Sequence, residues 1–182
     1  MDRKEIKIGG FGGQGVILSA HILGKAASIY DNKFSTMIQS FGPEARGSAC
    51  SAQVIISGKE ITYPYVVKPE ILVVMSQEAY SKFEPEMSED GILMYESDLI
   101  QIGKVREGLK YFAIPSTRIA EELGRKLILN IVMVGFFTSI TNLLSKDSVQ
   151  KAVESSVPRG TEELNLRAFN KGYDYGIKLL SE

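Results

Sequence analysis

Three features predict an α/β fold, Rossmann-like, with a mostly parallel sheet flanked by helices and a β-hairpin insertion. A short apolar segment around Ile6 and Ile8 breaks into Gly9-Gly10-Phe11-Gly12-Gly13-Gln14-Gly15 and resumes as a helix-like run from Val16 to Ile29. The run Glu70-Ile71-Leu72-Val73-Val74-Met75 is almost continuously apolar, as a parallel strand buried on both faces should be. Strand-like and helix-like segments then alternate along the chain, the pattern of a sheet built through helical crossovers.

The first unit is expected to be a strand at Ile6 to Ile8, a glycine loop, a helix from about Gln14 to Tyr30, a turn at Asp31-Asn32 and a second strand around Phe34 to Gln39. Together these read as a βαβ unit. Ser40 to Ser48, containing Gly42, Pro43 and Gly47, is too polar for a strand and unsuited to a helix interior, so it should be a loop at the carboxyl end of the second strand. Ser51 to Ser57 alternates through Ala52, Val54 and Ile56, and Gly58 turns it toward a return strand at Glu60 to Tyr65, which gives the hairpin. The strand at Glu70 to Met75 should be central. A helix at Gln77 to Phe83, strands at Gly91 to Tyr95 and Lys110 to Ile114, and a helix through Leu123 capped by Ser116 or Thr117 follow.

Leu127 to Leu144 is eighteen residues without a formal charge, the lower length limit of a membrane span. Asn130, Thr138, Ser139, Thr141 and Asn142 interrupt its apolarity, so it reads as a buried helix. A helix apolar around so much of its circumference needs cover on several sides, which makes it a candidate for subunit contact, including a homodimer contact. After the break at Val157-Pro158-Arg159-Gly160, Thr161 with Glu162 and Glu163 favours a helix start. Leu166, Phe169, Tyr173, Ile177 and Leu180 then form a packing stripe.

With 182 residues, 44% of them hydrophobic and 24% charged, the chain fits one domain, 1–182, around one core. A net charge of -1 supplies no field that would draw it to nucleic acid or anionic lipid. The charged start, Met1 to Lys7, lacks the apolar core of a signal peptide, and a cytoplasmic location is expected. Cys50 is the single cysteine, so the chain cannot provide the four thiolates of an iron–sulfur cluster. Cys50 reads as a small hydrophobe and His21, the single histidine, as a helix-surface residue; no catalytic or metal-ligating set emerges.

Gly10, Gly12 and Gly15 meet the GxGxxG spacing, which allows a tight turn and close backbone approach to an anion at a helix N-terminus. The same glycines could instead serve only a strand-to-helix turn and a tight helix dock, or a protein interface. Gln39-Ser40 stands where a dinucleotide dehydrogenase carries its ribose-binding acid; Asp31 comes too early, and Glu44 lies in the following loop, so NAD is disfavoured. No Gly-Lys-Ser or Gly-Lys-Thr closes the glycine segment, which excludes a P-loop. Arg46 offers a bidentate grip on phosphate or carboxylate, or else a salt bridge to Glu44 or a partner chain.

The stretches Gly9 to Val16, Gln39-Ser40-Phe41-Gly42-Pro43-Glu44-Ala45-Arg46-Gly47, Met75-Ser76-Gln77-Glu78-Ala79 and Asn165-Leu166-Arg167-Ala168-Phe169 together resemble the gamma subunit of 2-oxoacid:ferredoxin oxidoreductases, most closely the 2-oxoglutarate type. The family usually has tyrosine where Phe41 stands and a further glycine where Ser48 stands. The resemblance implies a subunit of a complex that oxidatively decarboxylates a 2-oxoacid to an acyl-CoA. Thiamine diphosphate and iron–sulfur clusters would belong to alpha, beta and delta or ferredoxin-like partners, and ferredoxin would be the electron acceptor. It also implies that Gly10, Gly12, Gly13, Gln14, Gly15, Glu44, Arg46 and Gly47 lie at a site for coenzyme A or at a subunit interface. Two other classes remain open: a stand-alone nucleotide-binding oxidoreductase, which would bind a dinucleotide by itself, and a non-catalytic nucleotide-sensing or assembly subunit.

Overall fold

In the computed structural model, which describes residues 2–40 and 50–182, six strands form one mixed sheet in the order β2-β3-β1-β4-β5-β6. The strands are β1 (Lys4–Gly10), β2 (Phe34–Ser40), β3 (Cys50–Ser57), β4 (Ile71–Val74), β5 (Ile92–Glu96) and β6 (Lys110–Ile114). The helices are α1 (Val16–Lys25), α2 (Gln77–Phe83), α3 (Ser116–Glu122), α4 (Leu129–Thr141), α5 (Lys146–Glu154) and α6 (Glu162–Ser181). β1, β4, β5 and β6 run parallel, so the predicted class holds. β4 lies between β1 and β5, central as its sequence requires, and its side chains divide between two cores. Ile71 and Val73 join the core formed with α1, α4, α5 and α6, whereas Leu72 and Val74 join the smaller core formed with α2.

The first unit is corrected in one respect. β3 lies between β1 and β2 and is antiparallel to both, so β1-α1-β2 does not place adjacent parallel strands together. Consequently the hairpin partner of β3 is β2, and residues 60–65 form no strand. Periodicity marked β3 as a strand but carried no information about its neighbours, because sheet pairing is chosen by side-chain contacts distant in sequence. The helix expected through Tyr30 persists, with Ala26–Tyr30 wound as a π-helix. Asn32 makes the turn in a left-handed conformation.

Asp31, read from sequence only as a turn residue, also fixes the start of α5, an element absent from the sequence reading. Its Oδ2 accepts from Lys33 Nζ at 2.8 Å and from the Ser145 N–H at 3.1 Å, and its Oδ1 accepts from Ser148 Oγ at 2.7 Å. Burial raises the carboxyl pKa, but these hydrogen bonds outweigh burial and bring it down to about 2. The folded value lies below the ordinary one of 3.8, so the stabilisation is present above that pH and is lost as pH falls through about 2.

The start of α3 is capped differently from expectation. Pro115 occupies the cap position, and the Ser116 and Thr117 side chains do not bond the helix N–H groups. Instead the Glu96 carboxylate at the end of β5, wholly buried, accepts from the Thr117 N–H at 2.6 Å, from Thr117 Oγ1 at 3.0 Å and from Ser116 Oγ. Its other oxygen accepts from the Asp98 N–H at 2.8 Å. A carboxylate at a helix start offsets its own desolvation when donors surround it in this way.

The expectation that Leu127 to Leu144 provides a homodimer contact is overturned. α4 is buried from Leu129 through Ser139, covered within the same chain by the sheet and by α6, and among the large apolar residues of the run only Leu127 is strongly exposed. The α6 surface that covers it keeps only part of the expected stripe: Phe169 is buried and Leu166 and Tyr173 pack against the core. Asn165, Ala168, Phe169, Gly172 and Gly176 face inward, while Ile177 and Leu180 are exposed. Small residues win that position because the helix backbones touch. A Cβ at Gly135 would collide with the Phe169 carbonyl, and one at Gly172 with the Val132 carbonyl.

Gly172→Ala should therefore lower stability by about 2 kcal/mol or more in urea denaturation, since backbone cannot move aside as a flexible side chain can. Gly103→Ala, where a Cβ meets nothing within 4 Å, should stay within about 0.5 kcal/mol of the parent. Asp31→Asn should cost about 2 kcal/mol at neutral pH, and the difference from the parent should vanish as the medium is acidified toward pH 2.

Candidate functional site

The glycine segment leaves β1 at its carboxyl edge and enters α1. Gln14 closes it: its N–H donates to the Phe11 carbonyl at 3.1 Å, and its Oε1 accepts from the Phe11 N–H at 2.7 Å. The other end of the same amide, Nε2, donates to the Met75 carbonyl at 2.8 Å and ties the loop to the end of β4. Within this chain Gln14 is thus the tie of the loop, with both ends of its amide committed to backbone.

The glycines divide by task. A Cβ at Gly9 would lie 2.7 Å from the Phe83 ring, and one at Gly10 would lie 2.7 Å from Gln14 Oε1, so these two allow helix and side chain to approach the strand. Gly15 has φ +73°, and a Cβ there would stand 2.5 Å from the Asn130 side chain of α4. Gly12 and Gly13 are different. A Cβ at either meets nothing within 4 Å, so packing does not account for them, although Gly13 needs glycine for its φ of +93°. Both sit where backbone can approach a ligand.

Gly15 is the N-cap of α1 and offers no side-chain acceptor, and the first turn contains no acidic residue. The first-turn N–H groups lack intrahelical acceptors, and the peptide dipoles add positive potential at that end. The loop therefore presents an uncapped helix start suited to an anion. Exposed Phe11 stands at its rim.

Glu44, Arg46 and Gly47, together with Phe41 and Ser48, lie outside the described residues. The residues that flank them are placed by the sheet: Cys50 is paired with Gly10, and Ser51 with both Gly9 and Ser40. The residues on either side of that segment, Ser40 and Cys50, thus stand at the sheet edge that carries the glycine loop. Burial pushes the Cys50 thiol pKa up, which disfavours the nucleophilic thiolate. His21 is exposed on α1, as expected. Among the described residues no three His, Cys, Asp or Glu side chains are grouped to hold a metal, and no helix is long and apolar enough to cross a membrane.

The absence of a ribose-binding acid now has a structural counterpart. In a dinucleotide fold that acid ends a parallel strand beside β1, whereas here the neighbour on that side is antiparallel β3. Asp31 is committed to α5. Sequence reasoning missed Asn130 as part of this site, recording it only as an interruption of an apolar run. That interruption was the available signal.

The model of the pyruvate ferredoxin/flavodoxin oxidoreductase family matches residues 5–175. The chain belongs to that family. It is 49% identical over 179 residues to the 2-oxoglutarate synthase subunit KorC of Methanocaldococcus jannaschii, covering 97% of this chain and 96% of the relative. Among solved structures it superposes on the keto/oxoacid ferredoxin oxidoreductase gamma subunit of Geobacter sulfurreducens with a TM-score of 0.86 and 36% identity, over 96% of this chain and 99% of the other. The fold also recurs in a longer chain, the 2-oxoglutarate:ferredoxin oxidoreductase of Magnetococcus marinus, with a TM-score of 0.87 at 19% identity. That match covers 98% of this chain and 32% of the longer one. The family match thus spans residues 5–175, with the glycine loop at the carboxyl edge of the sheet.

Gln14→Leu keeps the bulk of the side chain but removes both hydrogen bonds across the loop, and should lower stability by about 1–2 kcal/mol in thermal unfolding. Gly12→Ala should change it by less than about 0.5 kcal/mol.

Proposed function

We propose that this chain is the gamma-type subunit of a 2-oxoglutarate:ferredoxin oxidoreductase. The complex would convert 2-oxoglutarate and coenzyme A to succinyl-CoA and carbon dioxide, passing two electrons to ferredoxin. The observation that carries this reading is the near-complete, 49% identical match to a 2-oxoglutarate synthase subunit. The chain's own chemistry agrees with a subunit role: one cysteine cannot hold a four-thiolate cluster. Thiamine diphosphate and iron–sulfur clusters are assigned to the alpha, beta and delta or ferredoxin-like partners, and the assembly to the cytoplasm.

Within that assembly, the glycine loop and the segment 41–49 form the coenzyme A edge. Gly12 and Gly13 let the ligand approach backbone, Gly15 leaves the start of α1 free to face phosphate, and Gly10 admits the Gln14 tie that holds the loop's shape. Arg46 supplies the fixed positive charge and the two-pronged donor, and Glu44 and Gly47 belong to the same segment. The helix dipole contributes only about 0.3–1 kcal/mol where solvent reaches it. Micromolar binding requires about 8 kcal/mol, so Arg46 and the partner subunits must provide most of the affinity.

Reconstitution with the partner chains tests the reading. Ferredoxin reduction dependent on 2-oxoglutarate and coenzyme A should require this chain, and undiminished activity without it would refute the role. Arg46→Ala should raise the KM for coenzyme A by about tenfold, the loss of one charge-assisted hydrogen-bonding partner. An unchanged KM would remove Arg46 from the site.

A further inference from the structure

We propose that Asn130 is a positioning residue for the coenzyme A site, holding Gly15 in the left-handed conformation that aims the first-turn N–H groups of α1. The inference rests on the coenzyme A reading given above.

Asn130 is the second residue of α4 and is only 3% exposed, with Ile128, Leu129, Ile131 and Val132 buried around it in sequence. An amide in such surroundings costs about 1–3 kcal/mol unless its polar atoms are engaged, whereas leucine, of similar volume, carries no such penalty. The only hydrogen bond the Asn130 side chain makes among the described residues runs from Nδ2 to the Gly15 carbonyl, at 3.4 Å. That carbonyl also accepts from the Ser19 N–H at 2.9 Å and from Ser19 Oγ at 3.0 Å. Three donors thus converge on the peptide through which the loop enters the helix.

The two residues also fit one another sterically. A Cβ at Gly15 would lie 2.5 Å from both Cγ and Nδ2 of Asn130, so the amide occupies the notch left by the missing side chain. Any other residue at 15 would be strained at φ +73° and would also expel Asn130. The buried amide in an apolar helix and the glycine facing it are two halves of one contact. It transmits the position of the α4 N-terminus to the direction of the α1 N–H groups, which no side-chain cap otherwise fixes.

The test uses the reconstituted complex. Asn130→Leu keeps volume and removes the donor, and Asn130→Asp keeps shape while replacing the donor with an acceptor. Both should raise the KM for coenzyme A by about fivefold or more, with kcat and the KM for 2-oxoglutarate within about twofold. Hydrogen exchange of the amides of residues 16–19 should accelerate in parallel. An unchanged KM for coenzyme A in both variants, with Arg46→Ala still raising it, would overturn the role of Asn130 and leave the coenzyme A reading standing. Unchanged values in all three variants would overturn both. Loss of kcat together with dissociation of the complex in both variants would assign Asn130 to structure alone and overturn the proposal.

Discussion

Everything at the binding edge depends on which strand lies beside β1. β1 is hydrogen-bonded on one side to parallel β4 and on the other to antiparallel β3. The parallel neighbour gives Gln14 the Met75 carbonyl that ties down the glycine loop. The antiparallel neighbour brings Cys50 opposite Gly10, at the end of β1 where that loop begins. Had β2 lain beside β1 instead, the strand order at this edge would have been that of a dinucleotide fold, though the end of β2, Gln39-Ser40, still lacks the ribose-binding acid. The same glycine spacing therefore sits in a different strand environment because one strand has been interposed.

Precision at this edge comes from neutral contacts. The Gln14 amide, the Asn130 amide and the close approach of Phe83 to Gly9 set the loop without placing an acidic side chain in the first turn of α1. Two carboxylates are engaged in structure: Glu96 holds the start of α3, and Asp31 holds the start of α5. The start of α1, with no acidic residue in its first turn, keeps the positive potential of a helix N-terminus.

The helical layer follows the same economy of space. α4 is apolar on nearly all sides, and the sheet and α6 cover it only because Gly135, Gly172 and Gly176 let the helices come close. That closeness turns a segment that resembles an interface into an interior one. It leaves the polar amide of Asn130, at the end of α4 that meets the glycine loop, donating to the Gly15 carbonyl.

The sequence by itself determined the class of fold, the extent and type of most elements, the glycine loop and the family. Each of these is written in local spacing or in near-complete motif matches: the break after Ile8, the apolar run at 71–74, the paired motifs around Gly12 and Arg46. The tertiary structure alone decided the placement of β3 between β1 and β2, the burial of α4, the small-residue face of α6, the capping of α3 by Glu96 and the meeting of Asn130 with Gly15. These depend on residues far apart in the chain competing for the same space, as Ile177 and Leu180 lost to Gly172 and Gly176 on α6. Periodicity reports which face of a segment is apolar; it holds no record of what stands opposite, and only backbone-to-backbone distance made glycine the better answer there.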